Sequence, residues 1–214
     1  MTINIMDSPW NTTRSLPALA AVGVTCVIRY MNHHNSTKLP EKLVTPAEAA
    51  AIRGAGLKLA LVFEQGTDHV GALTAPEGRD AAERAFDYST ATLARPRGRP
   101  IYFAIDFDPA QPSELAAVTT YFQAVHDALA ARPGGLDDTP VGVYGSGLAC
   151  ETLQGAGLAR YFWLAQSTKW QHYHRFLGSG HWHLLQGFKP RGSGINLDFD
   201  PNYSNAALPD FGAF

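Results

Sequence analysis

Charge is scarce in this chain, and so are the features that would dedicate it to a charged partner or a membrane. Only 17% of its 214 residues are Asp, Glu, Lys or Arg, and 17 basic against 19 acidic side chains leave a net charge of -2. That balance offers no basic stripe, which excludes a nucleic-acid binder working by phosphate neutralisation. No apolar run approaches the length needed to span a bilayer, so no membrane partner is expected. The N-terminus lacks a basic region followed by an apolar stretch, so the sequence predicts a soluble chain without a conventional export signal. Cysteine is nearly absent. Cys26 and Cys150 lie far apart, with Cys26 inside an apolar run, a pattern that suits two buried thiols better than a staple but leaves one disulfide open. The 45% hydrophobic content is that of an ordinary folded protein.

What the chain does have is a repeated tetrapeptide. Asp-Phe-Asp-Pro occurs at 106–109 and again at 198–201, each time after an apolar run that reads as a strand. Residues two apart on an extended chain point to one side, and a residue before proline is pushed out of the helical region. Each copy is therefore expected to aim two carboxylates in one direction, Asp106 with Asp108 and Asp198 with Asp200. The competing reading is plain turn chemistry, since Asp and Pro both favour chain reversal.

Strand-like and helix-like segments alternate along the whole chain. Strands are expected at 3–6, 25–31, 57–63, 101–105, 141–144, 161–165, 182–185 and 195–199, and helices at 15–22, 46–54, 76–94, 112–131 and 148–154. Thr45, Pro46 and Glu48 form a helix start with the makings of a capping box. Such alternation implies right-handed crossovers and a parallel sheet, and eight strands is the number that closes a barrel. The expected fold is α/β, a single-domain TIM-like (β/α) barrel over residues 1–214 with a helix-poor C-terminal third. An open doubly wound sheet is the alternative, weakened by the lack of a glycine fingerprint after the first strand.

In a barrel of this type the C-terminal ends of the strands share one rim, where active sites sit. Those ends carry Asp7, Arg29, Glu64, Asp106 with Asp108, Tyr144, Gln166, Gln186, and Asn196 with Asp198. Five crowded acids would repel one another, so at least one should hold a proton near neutrality, with Arg29 keeping another ionised. One protonated and one ionised carboxyl group is what glycoside hydrolysis requires. Trp10, Trp163, Tyr30, Tyr102 and Tyr144 would offer flat faces to sugar rings, and Gln166, Gln186 and Asn196 would bond to hydroxyls. Histidines at 33–34, 172 and 174, and 181 and 183 lack the Cys or Glu spacing of a zinc site, so no metal and no cofactor is expected. Ser146 opens a helix after a strand but lacks the full nucleophile-elbow motif.

The segments 27–30, 61–64, 101–108, 141–145 and 196–198 resemble, in order and spacing, the glycoside-hydrolase-like domain known as domain-of-unknown-function family 1906. That family is similar to the family 25 lysozymes, barrels that cleave the glycan of peptidoglycan. The resemblance implies an acid at Asp7 and a catalytic pair at Asp106 and Asp108; the acid-rich rim adds Glu64 as a candidate acid, with Arg29 and Asp198 in support. It implies a lysozyme-like hydrolase whose partner is a glycan, peptidoglycan above all, and therefore a route out of the cytoplasm that the sequence does not reveal; a monomer is expected. One departure stands out: the lysozymes carry Asp-x-Glu on the fourth strand, and this chain carries Asp-Phe-Asp. Either Glu64 serves as the acid, or the substrate sits deeper, or hydrolysis is lost and a carbohydrate-binding module remains. A metal-dependent phosphodiesterase, with the Asp pairs holding a hard cation, is the rival from another class.

Overall fold

Eight strands close into one barrel in chain order in the computed structural model, which describes residues 4–188 and 195–214. β1 (Ile5–Asp7), β2 (Cys26–Met31), β3 (Lys58–Phe63), β4 (Ile101–Ala104), β5 (Val141–Gly145), β6 (Tyr161–Leu164) and β7 (Leu184–Gln186) run parallel, each beside the next. β8 (Asp200–Ser204) runs antiparallel to both β7 and β1. The all-parallel expectation is corrected there, and the strand expected at 195–199 starts only where that range ends. The physical reason lies in the connection. β8 begins at the rim where β7 ends, and a chain returning from the rim it left must run antiparallel, whereas a parallel strand would need a crossover to the far end. The expected start of the first strand, Ile3, lies outside the described residues.

Helices α1 (Leu16–Ala21), α2 (Pro46–Gly54), α3 (Ala75–Asp87), α4 (Pro112–Ala130) and α6 (Gly147–Gly155) fall where periodicity and caps predict them, while α5 (Gly135–Asp138) and α7 (Tyr173–Ser179) are short and carry no such signal. Side-chain caps explain the starts: Thr45 accepts from the Glu48 amide at 3.2 Å and Thr74 from the Glu77 amide at 3.3 Å. α3 ends before the expected 94 because its winding loosens into a π-helical turn over Tyr88–Thr92. No helix among the described residues is long and apolar enough to cross a membrane.

Strand alternation sorts the core into two. Ile5, Cys26, Ile28, Val62, Tyr102, Trp163 and Leu184 fill the barrel, while Val27, Leu59, Leu61, Phe63, Phe103 and Val143 face the helices. Gly142 is required in the interior layer, because a Cβ there would stand 2.6 Å from the Tyr102 ring. Tyr102 in turn packs edge-on to Trp163 at 6.0 Å. The base is closed by the C-terminal segment: Leu59 and Phe214 exchange backbone hydrogen bonds of 2.7 and 2.9 Å, and the Tyr102 hydroxyl donates to Phe211 O at 2.9 Å. Both cysteines are free and buried, Cys26 inside the barrel and Cys150 on α6.

Arg29 does not reach the cleft, contrary to expectation. Its neighbour Tyr30 points inward, so Arg29 points outward, where it is fully buried against α2. Its guanidinium donates to Glu48 at 2.7 and 3.1 Å, to Glu41 O at 2.8 Å and to Ser8 O. Glu48 also accepts from the Thr12 amide at 2.8 Å and its hydroxyl at 2.9 Å, so its carboxylate is spent here and does not close the capping box. The network ties the loops after β1 and β2 to one buried charge pair. Breaking one side of such a pair strands the other charge in low dielectric, so Glu48→Ala is expected to cost about 3–5 kcal/mol. In a thermal melt that corresponds to a midpoint lowered by on the order of 10 °C. A drop of only a degree or two would mean that the network contributes little.

Candidate functional site

At the barrel mouth the inward-facing parity of each strand is carried one step past its end. Val62 leads to Glu64 and Ala104 to Asp106, and these two carboxyl groups line a pocket of about 290 Å³ with Tyr30, Tyr144, Trp163, Gln166, Gln186, Lys42 and Asp200. Lys42 arrives from the loop before α2 and donates to Glu64 Oε1 at 2.6 Å, with its ammonium 5.2 Å from the Tyr30 ring centre. Tyr144 packs edge-on to Trp163 at 4.7 Å. Gln166 donates to Asp200 Oδ2 at 3.4 Å.

Beneath this floor lies Asp7, only 2% exposed. Its carboxyl group accepts from the Tyr30 hydroxyl at 2.9 Å, Gln186 Nε2 at 3.1 Å and Asn202 Nδ2 at 2.8 Å. Neither amide is free to flip. Asn202 Oδ1 must face the donor Trp163 Nε1 at 2.8 Å, and Gln186 Oε1 accepts from the Tyr144 hydroxyl at 2.9 Å. Burial pushes the Asp7 pKa up to about 7, with the charge of Asp200 adding to the rise and the bonds from Asn202, Gln186 and Tyr30 opposing it.

Asp106 opens onto the pocket, yet the surrounding walls withdraw enough water to push its pKa to about 6, helped by the negative charge of Glu64 and Asp68 and opposed by Lys42. The site thus combines a carboxyl group that holds its proton into the weakly acidic range with a carboxylate ion-paired to a lysine.

The remaining expected site residues lie elsewhere. The chain bends after Asp106, and Asp108 turns away to accept from the Gln171 amide at 2.9 and 3.1 Å. It thereby pins the loop between β6 and α7 that carries Gln166. That loop is held a second time by Leu148 N donating to Gln171 O at 3.0 Å and a third time by His172 Nδ1, 2.8 Å from Glu151 Oε2. Gly147 permits the approach, since a Cβ there would come within 2.3 Å of His172 O. Asn196 and Asp198 line a separate depression beside Trp10 and Arg14, and Asp198 O accepts from the Ser8 hydroxyl at 2.6 Å. Ser146 is a helix cap, accepting from the Ala149 amide at 3.1 Å. Among the described residues no group of three or more His, Cys, Asp or Glu is arranged to hold a metal ion.

Lys42, Asp200 and Asn202 are absent from the strand-end residues that the sequence places at the rim. Nothing in a loop's composition marks a lysine that folds back over a rim. Asp200 carries a signal, the second Asp-Phe-Asp-Pro, but because β8 runs antiparallel its motif leads into the strand rather than following it.

The buried proton of Asp7 makes a stability claim. An unfolded carboxyl group loses its proton near pH 4 and the folded one near 7, so between those values the unfolded state binds fewer protons and stability falls as pH rises. The cost is absent below about pH 4 and complete above about 7, where it is on the order of 4 kcal/mol. Asn keeps the shape and cannot ionise, and the Tyr30 hydroxyl can turn to accept from it. Asp7→Asn is therefore expected to gain stability over the native chain by a few kcal/mol more at pH 8 than at pH 4 in denaturant melts. An equal difference at both pH values would contradict the buried proton.

A Bacillus subtilis (strain 168) protein, uncharacterized YbfG, is 30% identical over 224 residues, covering 90% of this chain and 30% of that protein, so the chain spans less than a third of its curated relative. The Mycobacterium tuberculosis Tat-secreted protein Rv2525c, solved in complex with L-tartrate, shares the fold with a TM-score of 0.77 at 22% identity, over 100% of this chain and 99% of that one. The catalytic domain of endolysin ply40 from bacteriophage P40 of Listeria monocytogenes does so with a TM-score of 0.61 at 16% identity, over 97% and 95%. The family described as the Rv2525c-like, glycoside hydrolase-like domain matches residues 17–203, and by that match the chain belongs to this family.

Proposed function

We propose that this protein hydrolyses the glycan of bacterial cell-wall peptidoglycan, with its reaction centre at Asp106 and Glu64. The observation that carries the reading is the pairing at the barrel mouth of a carboxyl group with pKa about 6 and a carboxylate held by Lys42. Protonated Asp106 gives its proton to the glycosidic oxygen as the bond to the anomeric carbon breaks, and Glu64 stabilises the positive charge that develops there or activates the water that attacks it. Tyr30 and Tyr144, part-exposed and backed by the buried Trp163, present rings on which a sugar can lie, and Gln166 offers bonds to its hydroxyls. Asp7 works from below, orienting Tyr30 and Gln186. The fold shared with an endolysin's catalytic domain and the resemblance to family 25 lysozymes support peptidoglycan as the glycan.

A second reading, a glycan-binding module that no longer cleaves, is favoured by one observation. The second acid of the fourth-strand motif, Asp108, is committed to the Gln171 amide and does not line the pocket.

Release of reducing ends from purified peptidoglycan distinguishes the two. The native chain is expected to release them with a rate that declines on the alkaline side about a midpoint near 6, as Asp106 loses its proton. Asp106→Asn and Glu64→Gln are each expected to lower the rate at least ~100-fold. Asp108→Asn should cost far less, because it only loosens a loop. Sedimentation of the protein with cell walls, without any release, would establish the binding module instead.

A further inference from the structure

The barrel-mouth pocket continues past Lys42, Glu64 and Asp106 into a second pocket of about 320 Å³, which shares those residues and Leu39 with it. The two differ in chemistry. The mouth is walled by aromatic rings, whereas the second pocket has, among the described residues, Leu39 as its one large apolar side chain and a polar wall that includes Asn32, Thr67 and Asp68. Two of these residues carry an unmet need. Asn32 and Thr67 are 2% and 3% exposed, and Asn32 Oδ1 and Thr67 Oγ1 have no hydrogen-bond partner. The amide of Asn32 is not reversible, because its Nδ2 already donates to His34 O at 3.1 Å and Asn35 Oδ1 at 3.0 Å. The orphan there is an acceptor.

Charge points the same way. Among the described residues Lys42 is the one lysine or arginine lining either pocket; it bonds to Glu64 and only moderates the charge of Asp68 and Asp106 from farther away. His69, 2.8 Å from Asp68, holds that carboxyl below its usual range. Thr67 O accepts from the Asp106 amide at 2.8 Å, so the wall of this pocket and the backbone of the proposed acid are one piece.

We propose that the second pocket binds an amino sugar whose nitrogen is free and protonated, the unit next in the chain to the sugar held in the barrel mouth. An ammonium group supplies three donors and no acceptor, which matches a wall of carboxylates and an unpaired amide oxygen. An acetamido group would instead bring a carbonyl towards those acceptors and a methyl group to a pocket whose only large apolar side chain among the described residues is Leu39. The inference rests on the cleft being a glycan site and does not require hydrolysis.

Titration of the intact protein with chitobiose, the glucosamine disaccharide, and with its diacetylated form, followed by backbone amide NMR, tests it. Chitobiose is expected to shift the amides of Gly66, Thr67 and Asp68 and to saturate at roughly ten-fold lower concentration than the diacetylated sugar. Asp68→Asn, a change at an exposed residue that leaves the fold intact, should remove most of that preference, and Thr67→Val should weaken both sugars. Equal saturation by the two sugars, shifts confined to the barrel mouth, or a preference unchanged in Asp68→Asn would each overturn the proposal. Binding of this kind by a protein that releases no reducing ends would leave the inference standing while removing the hydrolase reading.

Discussion

The buried carboxyl group of Asp7 is the point on which the barrel closes. Asp7 lies on β1, and its three donors come from β2, β7 and β8, so a single side chain joins the first strands to the last. An apolar residue would fill the same space without demanding any of these partners. A carboxyl group demands them, because burying it unpaired costs several kcal/mol. The amides that answer it are fixed in turn by Trp163 and Tyr144, whose rings form the floor of the cleft. Closure and the shape of the site are therefore one set of hydrogen bonds, and the raised pKa of Asp7 measures what that arrangement costs.

The antiparallel last strand reorganises the repeated acidic motif. In the first copy the strand comes before the motif, so its first aspartate, Asp106, stands at the rim and its second, Asp108, turns into the loop. In the second copy the strand comes after, so the second aspartate, Asp200, stands at the rim and the first, Asp198, remains outside. Each copy delivers one carboxyl group to the cleft. Asp108 uses its charge on a backbone amide, where it steadies the loop bearing Gln166.

Arg29 shows a similar division of labour. A cation pointing into the cleft would neutralise the acids; one step of strand parity sends it to the helix side instead, where it holds the loops that carry Pro9 and Lys42. Lys42, the one lysine or arginine lining the pocket among the described residues, comes from a loop and bonds to Glu64, while the pKa of Asp106 beside it is raised to about 6.

Local chemistry was legible in the sequence. The alternation of strand and helix, the Thr45–Pro46 and Pro112 helix starts, and the placement of Asp7, Glu64, Asp106, Tyr144, Gln166 and Gln186 at one rim all follow from periods of two and of 3.6 and from caps, which depend on near neighbours. Strand parity alone also shows that Arg29 and Tyr30 cannot both face inward. Direction and partnership were decided only by the tertiary structure: that β8 returns antiparallel, that Asp200 replaces Asp198, that Asp108 meets Gln171, and that Lys42 folds over Glu64. Those outcomes depend on which distant groups barrel closure brings within hydrogen-bonding reach, and no local period encodes that.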